Sequence, residues 1–299
     1  MAGKGHKSGF AAIIGRPNVG KSTLINNLIG EKLSIISDKP QTTRNRIQCV
    51  LNRPDYQVVF IDTPGIHRPK NKLGEYMVRV AKNALDEVDV IIFIVDVYQG
   101  IGGGDRFIAE ELRQIKTPVV LAANKIDKVG KIEEAERQAK EFQQQMEFDD
   151  MIMISAVDRT NLDRLEHTIV SYLPIGPKYY PDDMITDQPE RFIAAELIRE
   201  KALELLKEEV PHGIGVEIVS FKERQNKNII DINATIYCEK KSHRGIIIGK
   251  GGKMLREIGS RARLDIEKLL GTRIYLELWV KVRKDWRDSA IDLKNLGYE

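Results

Sequence analysis

Residues 15–22 read GRPNVGKS, and this stretch decides the fold of the first half of the chain. It follows the apolar run FAAII at residues 10–14 and precedes a helical pattern at residues 23–29. A G-x-x-x-x-G-K-S sequence between a strand and a helix is typical of a phosphate-binding loop, or P-loop. Its glycines let successive backbone N–H groups converge on phosphate oxygens, and the helix adds the positive end of its dipole. The sequence therefore predicts an α/β domain that binds a nucleotide.

The predicted P-loop also supplies two side chains with separate tasks. Lys21 brings a positive charge to the β- and γ-phosphates, which makes it a predicted catalytic residue. Ser22 brings an oxygen ligand for Mg²⁺. The nucleotide contacts predicted from this stretch come from Gly15, Arg16, Pro17, Asn18, Val19, Gly20, Lys21, Ser22 and Thr23.

A second motif, DTPG at residues 62–65, follows the strand predicted at residues 57–61. Alone, an aspartate at a strand end is more often a turn or helix cap. In the same sheet as a P-loop, however, the carboxylate of Asp62 can hold Mg²⁺ through water, while the Gly65 N–H can meet a γ-phosphate. The residues predicted to contact the nucleotide are Asp62, Thr63, Pro64 and Gly65.

The motif NKID at residues 124–127 is predicted to select the base. The carboxylate of Asp127 can accept hydrogen bonds from N1–H and the exocyclic amine of guanine, and it would repel the edge of adenine. Asn124 is predicted to tie this loop to the P-loop, and the stem of Lys125 is predicted to cover one face of the base. The predicted ligands are therefore GTP and GDP.

A last nucleotide loop is predicted at Ser155 and Ala156, which follow the strand predicted at residues 151–154. There the Ala156 N–H could reach O6 of guanine. Two residues are weak evidence by themselves, and their position after a strand of the same sheet is what supports the prediction.

The residue that activates water is not evident. Ile66 occupies the place directly after Asp-x-x-Gly where many GTP-hydrolysing proteins carry a glutamine that orients the attacking water. An aliphatic side chain cannot do this, so another device must act or the unaided rate is low. His67 follows and could act as a base, although a lone loop histidine is more often a solvated surface group.

The stretch QTTR at residues 41–44 is the predicted switch loop. One of its threonines could complete the Mg²⁺ shell when a γ-phosphate is present. We prefer Thr43 over Thr42, as a metal ligand and as a predicted catalytic residue. The alternative is that the two threonines simply open the next strand.

The first half alternates apolar runs with helical patterns, which is typical of stacked β–α units. Runs that are apolar throughout indicate strands buried on both faces. The fold prediction is an α/β P-loop domain with a mostly parallel sheet and helices on both faces. Strands are predicted at residues 10–14, 57–61, 90–95, 119–123 and 151–154, and helices at residues 73–88 and 161–172.

Four motifs in this order, each after a strand, resemble those of translation-factor-like GTPases over residues 9–173. The sequences GRPNVGKS, QTTR and DTPGI are similar to those of the branch that contains the Era family. The resemblance implies that Asn18 helps to bind K⁺, whose charge can substitute for an arginine finger. We carry this to Asn18 as a hypothesis, as a K⁺ ligand and a predicted catalytic residue.

The second half begins after an extended, proline-rich linker predicted at residues 174–189. A helical pattern follows it, then strands predicted at residues 215–221 and 229–238, a helix at 253–270 and a strand at 273–282. From Lys240 to Arg287 there are fourteen Lys and Arg against five Asp and Glu, whereas the whole chain carries only +3. Such a concentrated basic region suits a phosphate backbone, although a charged face is often merely solvated.

Residues 249–252 read GKGG, which resembles the G-x-x-G loop of KH domains. Alone it is usually a plain turn. Between an apolar segment and a helix, in this order of elements, it predicts a smaller α+β KH domain of type II that binds single-stranded RNA. The predicted RNA contacts come from Ile248, Gly249, Lys250, Gly251, Gly252, Lys253 and Arg256, with Ile246 and Ile247 joining Ile248 in an apolar floor.

Each of the two tryptophans could stack a base. We expect Trp279 to fill the core under the sheet, and the environment of Trp286 stays open. Cys49 and Cys238 are expected to be reduced thiols with a packing role.

The whole chain resembles the Era family of bacterial ribosome-assembly GTPases. The predicted organisation is a flexible N-terminus at residues 1–8, the GTPase domain at 9–173, the linker at 174–189, the KH domain at 190–287 and a C-terminal tail at 288–299. The resemblance implies binding near the 3′ end of 16S ribosomal RNA, a role in maturation of the small (30S) subunit, and peripheral contact with the cytoplasmic face of the cell membrane.

We expect a cytoplasmic protein, because the basic start of the chain is followed by no apolar signal region and no apolar run reaches the ~20 residues of a membrane span. We also expect a monomer. GTP is expected to act as the switch that changes how the RNA groove is presented, through the linker. The alternative function is a membrane-associated signalling GTPase that acts through a protein effector.

Overall fold

The computed structural model describes residues 5–37, 39, 42–66, 69, 71–224 and 228–298. By their packing, the residues divide into two compact units. The first contains residues 1–34, 43–69 and 77–187, and the second contains residues 35–42, 70–76 and 188–299. Within the described ranges, no helix has the length and apolar character needed to cross a bilayer.

The first unit is built on a six-stranded sheet in the order β2–β3–β1–β4–β5–β6. All neighbouring strands are parallel except β2, which is antiparallel to β3. The P-loop fold and its mostly parallel sheet are thus confirmed. The elements are β1 (Lys7–Ile14), α1 (Lys21–Ile29), β2 (Ile47–Asn52), β3 (Tyr56–Asp62), α2 (Lys72–Asn83), β4 (Val90–Asp96), α3 (Gly103–Leu112), β5 (Val119–Asn124), α4 (Ile132–Gln143), β6 (Asp150–Met153) and α5 (Leu162–Tyr172).

Three elements of this unit, namely β2, α3 and α4, were not predicted from the sequence, and the end of α2 differs from the prediction. Strand β2 follows a polar loop that hides its apolar residues. Helix α2 ends at Asn83 and not at Val88. The Leu85 N–H donates to the carbonyl of Lys82 at 3.0 Å, which is the tighter bond of a turn.

The stretch predicted as a linker is hydrogen-bonded to β2 and β3 over much of its length. The Val50 N–H donates to the carbonyl of Ile185 at 2.9 Å, and the Thr186 hydroxyl donates to the carbonyl of Gln48 at 2.7 Å. The Gln57 side chain donates to the carbonyl of Tyr180 at 2.8 Å. Residues up to 187 therefore pack as part of the first unit.

The second unit contains a three-stranded sheet in the order β7–β8–β9, in which β7 is antiparallel and β9 parallel to β8. Helices α6, α7 and α8 contact this sheet, and α6 packs on α8. This α+β arrangement confirms the KH prediction. The elements are α6 (Glu190–Leu205), β7 (Gly215–Glu223), β8 (Ile229–Cys238), α7 (Lys241–Ile248), α8 (Lys253–Leu270), β9 (Arg273–Val282) and α9 (Ala290–Asn295).

The two tryptophans have opposite environments. Trp286 is fully buried, and its Nε1–H donates to the carbonyl of Gly213 at 2.9 Å. Trp279 is 58% exposed, so the expectation that it fills the core is wrong. Successive side chains of a strand point to opposite faces of the sheet. The neighbours Leu278 and Val280 point toward the helices, so Trp279 lies on the other face.

Helix α6 carries a buried network of charges that also binds Ile36 and Thr42 of the second unit. Arg199 is fully buried and pairs with Glu196. The Arg199 guanidinium donates to the carbonyl of Thr42, and Glu200 accepts from the N–H of Ile36 at 2.7 Å. The buried ions of α6 are thus paired or hydrogen-bonded, as ions that have left water must be.

Candidate functional site

The P-loop connects β1 to α1, as the sequence predicts. Helix α1 begins at Lys21 with Gly20 as its N-cap, and Ser22 and Thr23 lie in its first turn. Gly20 has a φ of +108°, and a Cβ there would lie 2.4 Å from Nδ2 of Asn124. Glycine is therefore required here, because any other residue would strain the turn and its Cβ would collide with the Asn124 amide.

Lys21 lies almost completely buried under this loop. Its Nζ donates to the carbonyls of Gly15 and Arg16, each at 3.0 Å. Burial lowers the pKa of Lys21 to about 8, against the opposing effect of the negative charge of Asp62. The ammonium group is thus held where the phosphates of a nucleotide would meet it.

Three oxygens predicted to serve Mg²⁺ converge at the end of β3. Oδ2 of Asp62 accepts from the hydroxyl of Ser22 at 3.1 Å and from that of Thr43 at 3.4 Å, and the two hydroxyls lie 3.1 Å apart. Asp62 is fully buried, which raises the pKa of its carboxyl group.

These residues fit a divalent cation. Oδ1 of Asp62 is buried without a hydrogen-bond partner in the described part of the chain, and an uncompensated buried carboxylate oxygen is costly unless a cation or water satisfies it. Ser22, Thr43 and Asp62 would hold Mg²⁺, and the ion would neutralise charge on the phosphates. Of the two threonines, the structure brings only Thr43 to this point, whereas the Thr42 hydroxyl donates to the carbonyl of Lys39 at 2.6 Å.

The other residues of the DTPG loop contact β1 and the P-loop. The buried Thr63 hydroxyl donates to the carbonyl of Ile13 at 2.8 Å. Gly65 lies so close to Pro17 that a Cβ would come within 2.9 Å of its backbone nitrogen. Pro64 is buried between these two contacts.

Ile66 is 2% exposed and belongs to the apolar core of the first unit. A side chain in the core cannot orient water. Either another device orients the water or the unaided rate is low, which are the two alternatives that the sequence leaves. His67 and Gln41 lie outside the described residues.

The predicted tie between the base-reading loop and the P-loop is present. Nδ2 of Asn124 donates to the carbonyl of Val19 at 2.7 Å. Oδ1 of Asn124 accepts from the Ala156 N–H at 2.9 Å. This is the N–H that we predict reaches guanine O6, so contact with O6 requires that the bond to Asn124 be shared or exchanged.

Two buried carboxylates, which the sequence reasoning missed, fix cations of the nucleotide loops. Asp96 ends β4, and its Oδ2 lies 2.7 Å from Nζ of Lys125, which also donates to the carbonyl of Asn18 at 2.7 Å. Asp105 in the first turn of α3 pairs with Arg16 at 3.2 Å. The guanidinium of Arg16 is thereby held by α3, which leaves its backbone for phosphate.

The loop at residues 249–252 connects α7 to α8 in the second unit. Gly249, Gly251 and Gly252 have φ values of +71°, +59° and +76°, a region that other residues rarely adopt. The side chains of Lys250, Lys253 and Arg256 are exposed, and none forms an ion pair within the described residues. The loop can therefore approach a phosphate backbone closely and offer it free cations.

The apolar floor predicted beside this loop is narrower than expected. Ile246 is 49% exposed and Ile248 is half-buried. Ile247, by contrast, is fully buried, because it lies on the face of α7 that packs on the sheet. Its predicted contact with RNA is therefore wrong.

Comparison with known proteins identifies both units. A family profile described as "50S ribosome-binding GTPase" matches residues 10–125, and a KH-domain profile matches residues 209–287. The chain is 60% identical to GTPase Era of Alkaliphilus metalliredigens over 98% of its own length and 99% of that protein. The chain belongs to the Era family of GTPases. GTPase Era of a Thermoanaerobacter species is 56% identical, over 98% of this chain and 97% of that one.

Solved structures of the family agree with this fold. A crystal structure of Era in complex with MgGDPNP and nucleotides 1506–1542 of 16S ribosomal RNA matches with a TM-score of 0.95 at 45% identity, over 98% of this chain and 99% of that chain. A point variant of Aquifex aeolicus Era bound to GDP and AlF₄⁻ matches with a TM-score of 0.94, also at 45% identity and the same coverage. The chain is accordingly a GTPase, and its ligands are GTP or GDP with Mg²⁺.

Proposed function

We propose that this protein binds single-stranded RNA of the 3′ region of 16S ribosomal RNA and assists maturation of the small (30S) ribosomal subunit, with GTP as the switch. The observation that carries the proposal is the loop at residues 249–252. Its three glycines with positive φ permit close approach of a sugar–phosphate chain, and Lys250, Lys253 and Arg256 offer charges that no acidic side chain in the described residues neutralises. Such a loop suits about four unpaired nucleotides.

The relatives support ribosomal RNA as the partner. The Era structure that contains nucleotides 1506–1542 of 16S ribosomal RNA matches 98% of this chain. The profile whose description refers to the 50S ribosome covers only residues 10–125. We give more weight to the full-length relative, because it includes the unit that carries the proposed RNA loop.

In this proposal Thr43 senses the γ-phosphate. Its hydroxyl already lies beside Ser22 and Asp62, so ordering it around Mg²⁺ requires little movement. K⁺ held with the help of Asn18 supplies the positive charge that an arginine finger provides in other GTPases. Switching further requires that GTP favour one of two arrangements of the protein over the other.

The second candidate, a membrane-associated signalling GTPase with a protein effector, is less well supported. An anionic membrane would attract exposed lysines and arginines without any need for three glycines with positive φ. The glycines therefore favour RNA. We expect a monomer in the cytoplasm, where the two buried free thiols, Cys49 and Cys238, would stay reduced.

The test uses the full chain with a non-hydrolysable GTP analogue and an RNA of the 16S 3′ region. Gly251→Asp places a carboxylate in the loop and should weaken RNA binding at least about ten-fold. Gly297→Asp is the matched control, because Gly297 has a similar φ of +79° and equally open surroundings in the same unit, outside both proposed RNA surfaces. Neither variant should change GTP affinity.

Equal RNA affinity of the two variants would show that the loop does not contact RNA. Equal RNA affinity of the wild-type chain with GDP and with the GTP analogue would remove GTP as the switch. Tight binding of a scrambled RNA of the same length would leave RNA binding intact and exclude the 16S sequence as its specific target.

A further inference from the structure

The three-stranded sheet of the second unit has one face covered by helices and one open face. Along β9, Ile274 and Val280 are buried, whereas Tyr275 and Trp279 are 55% and 58% exposed. Side chains alternate between the faces of a strand, so the two aromatic rings share the open face. We call this surface the open sheet face. It consists of the odd-numbered residues of β9 and their accessible neighbours on β8 and β7, namely Arg273, Tyr275, Glu277, Trp279, Lys281, Asp231, Asn233, Glu217, Ser220 and Lys222.

It is unusual for one strand to expose two large aromatic side chains to solvent. A single exposed aromatic is ordinary, but tryptophan is the residue that gains most from being covered. Tyr275 and Trp279 are four residues apart, which separates them by about 13 Å along the strand. The guanidinium of Arg224 lies 5.6 Å from the centre of the Tyr275 ring and stabilises its orientation by a cation–π interaction. The spacing leaves room for a planar group on each ring.

The charges of the open sheet face favour a negatively charged polymer as its ligand. Its exposed charged residues, Arg273, Lys281 and Lys222, are all cations. The acidic groups are half-buried and mostly engaged. Asp231 pairs with Arg224 at 2.7 Å, and Glu217 accepts from the Tyr237 hydroxyl at 2.6 Å.

Glu277 is the remaining acidic group, and it lies between the two rings. Asn233 is its register partner on β8. A carboxylate and an amide side by side are acceptors and donors for the edges of bases, and a carboxylate accepts from exocyclic amines. Aromatic rings that flank polar groups on an open sheet, with cations around them, form the arrangement by which sheet surfaces bind unpaired nucleotides.

We propose that the open sheet face is a second RNA-binding surface, on which Trp279 and Tyr275 stack bases of a single strand that continues beyond the loop at residues 249–252. Arg273, Lys281 and Lys222 bind its phosphates. The inference rests on the proposed function, since it extends the same RNA strand.

The fold makes the two surfaces continuous. Strand β9 is the edge of its sheet, and α7 and α8 both contact it. Gly259 of α8 packs against Leu278, where a Cβ would lie 3.3 Å from Cδ1. Leu278 and Trp279 are consecutive residues on opposite faces of β9. A strand of RNA that lies along the helix side therefore has only this one edge strand to cross.

The test compares strand lengths in the full chain. A single-stranded RNA of about four nucleotides fills only the loop region, and one of about twelve reaches the open sheet face. Trp279→Ala should leave the affinity for the short strand unchanged and weaken the long strand about ten-fold. Ile291→Ala is the control, because Ile291 is 75% exposed on α9 in the same unit and should change neither.

Fluorescence gives a second readout that does not depend on removing the ring. The chain has two tryptophans, so Trp286→Phe leaves Trp279 as the sole emitter. The long strand should quench its emission and shield it from iodide, and the short strand should do neither. If Trp286→Phe fails to fold, iodide quenching of the wild-type chain still reports on Trp279, because Trp286 is buried.

The outcomes separate this inference from the proposed function. If Gly251→Asp weakens both strands while Trp279→Ala weakens neither, the open sheet face does not bind RNA and the proposed function stands. If the wild-type chain binds neither strand, both fail. If Trp279→Ala changes only the sedimentation of the protein, the face serves self-association and the inference is overturned.

Discussion

The hydroxyl of Ser155 donates a hydrogen bond to Oδ1 of Asp127 across 2.7 Å. The same hydroxyl oxygen accepts from the Asp158 N–H at 3.0 Å, so the serine proton is directed at the carboxylate. One oxygen of Asp127 is thereby fixed, which orients the carboxylate of a side chain that is otherwise exposed. In the predicted role of Asp127, guanine would meet an acceptor whose direction is set before the base arrives.

Asp127→Asn should exchange the base preference. The new amide offers a donor where guanine also has a donor, whereas xanthine has a carbonyl there. GDP affinity should fall about 10- to 100-fold, as expected for the loss of a hydrogen bond to a charged group. Affinity for xanthosine diphosphate should rise, and calorimetry with both nucleotides measures the exchange. Ser155→Ala is the control, with a smaller loss and unchanged preference. A preference for GDP that survived Asp127→Asn would contradict this assignment of Asp127.

Asp96→Asn should weaken nucleotide binding through Lys125. Oδ1 of Asp96 accepts from the N–H groups of Tyr98 and Gln99 at 3.0 and 3.1 Å, and an asparagine can keep both bonds. Only the charge beside Lys125 is lost. GDP affinity should fall about ten-fold, and the loss should be equal for guanine and hypoxanthine nucleotides because the base-reading carboxylate is untouched. Glu110→Gln, in an exposed ion pair, should have no effect. A loss confined to guanine would refute a role through Lys125.

Thr43→Ala should weaken binding of GTP without changing the affinity for GDP. Its hydroxyl lies beside Ser22 and Asp62, where it can join the Mg²⁺ shell only when a γ-phosphate is present. Hydrolysis and affinity for a GTP analogue should fall at least about ten-fold, with GDP affinity unchanged. Thr42→Ala, which removes a hydroxyl bonded to Lys39, should retain both. Equal effects of the two substitutions would argue against Thr43 as the γ-phosphate sensor.

GTP hydrolysis should be faster in K⁺ than in Na⁺ at equal ionic strength. Ile66 is in the core and cannot orient water, and in this proposal K⁺ takes the place of an arginine finger in stabilising the transition state. An arginine finger contributes roughly 10³- to 10⁵-fold in other GTPases, and even a partial substitute should give at least about ten-fold. Asn18→Ala should abolish the difference, as measured by phosphate release. Equal rates in the two salts would remove K⁺ and this role of Asn18.

The two tryptophans should differ sharply in stability measurements. Trp286→Ala empties a fully buried site and should cost about 3–5 kcal/mol of the free energy of unfolding. Trp279→Ala removes an exposed ring and should change it by no more than about 0.5 kcal/mol. Urea unfolding followed by circular dichroism measures both without relying on tryptophan emission. Comparable losses would mean that Trp279 is not exposed in solution.

The nucleotide loops could be predicted from sequence because each follows an apolar strand of one parallel sheet. Parallel strands end at a common edge, so Lys21, Asp62, Asn124 and Ser155 must meet there. Asp96 carries the same signal at the end of β4 and was overlooked only because it belongs to no familiar motif. Distances between loops, such as the contact of Lys125 with Asp96, depend on tertiary packing that no local pattern contains.

Strand β9 shows a different reason for error. In its sequence RIYLELWVKV, apolar residues alternate with polar ones, and Trp279 falls in the polar phase. The prediction of a buried ring followed the hydrophobicity of tryptophan and ignored its phase. Register, not residue type, decides which face of a strand a side chain occupies.

The hydrogen bonds between β2 and residues 180–186 bear on how the protein can be divided for experiments. A GTPase fragment cut at residue 173 would expose the unpaired backbone of an edge strand. Exposed edges of this kind recruit other strands, so such a fragment should precipitate or pair with itself. A fragment that ends at residue 187 keeps its own covering strand, and it is the piece of this chain suited to isolated study of nucleotide binding.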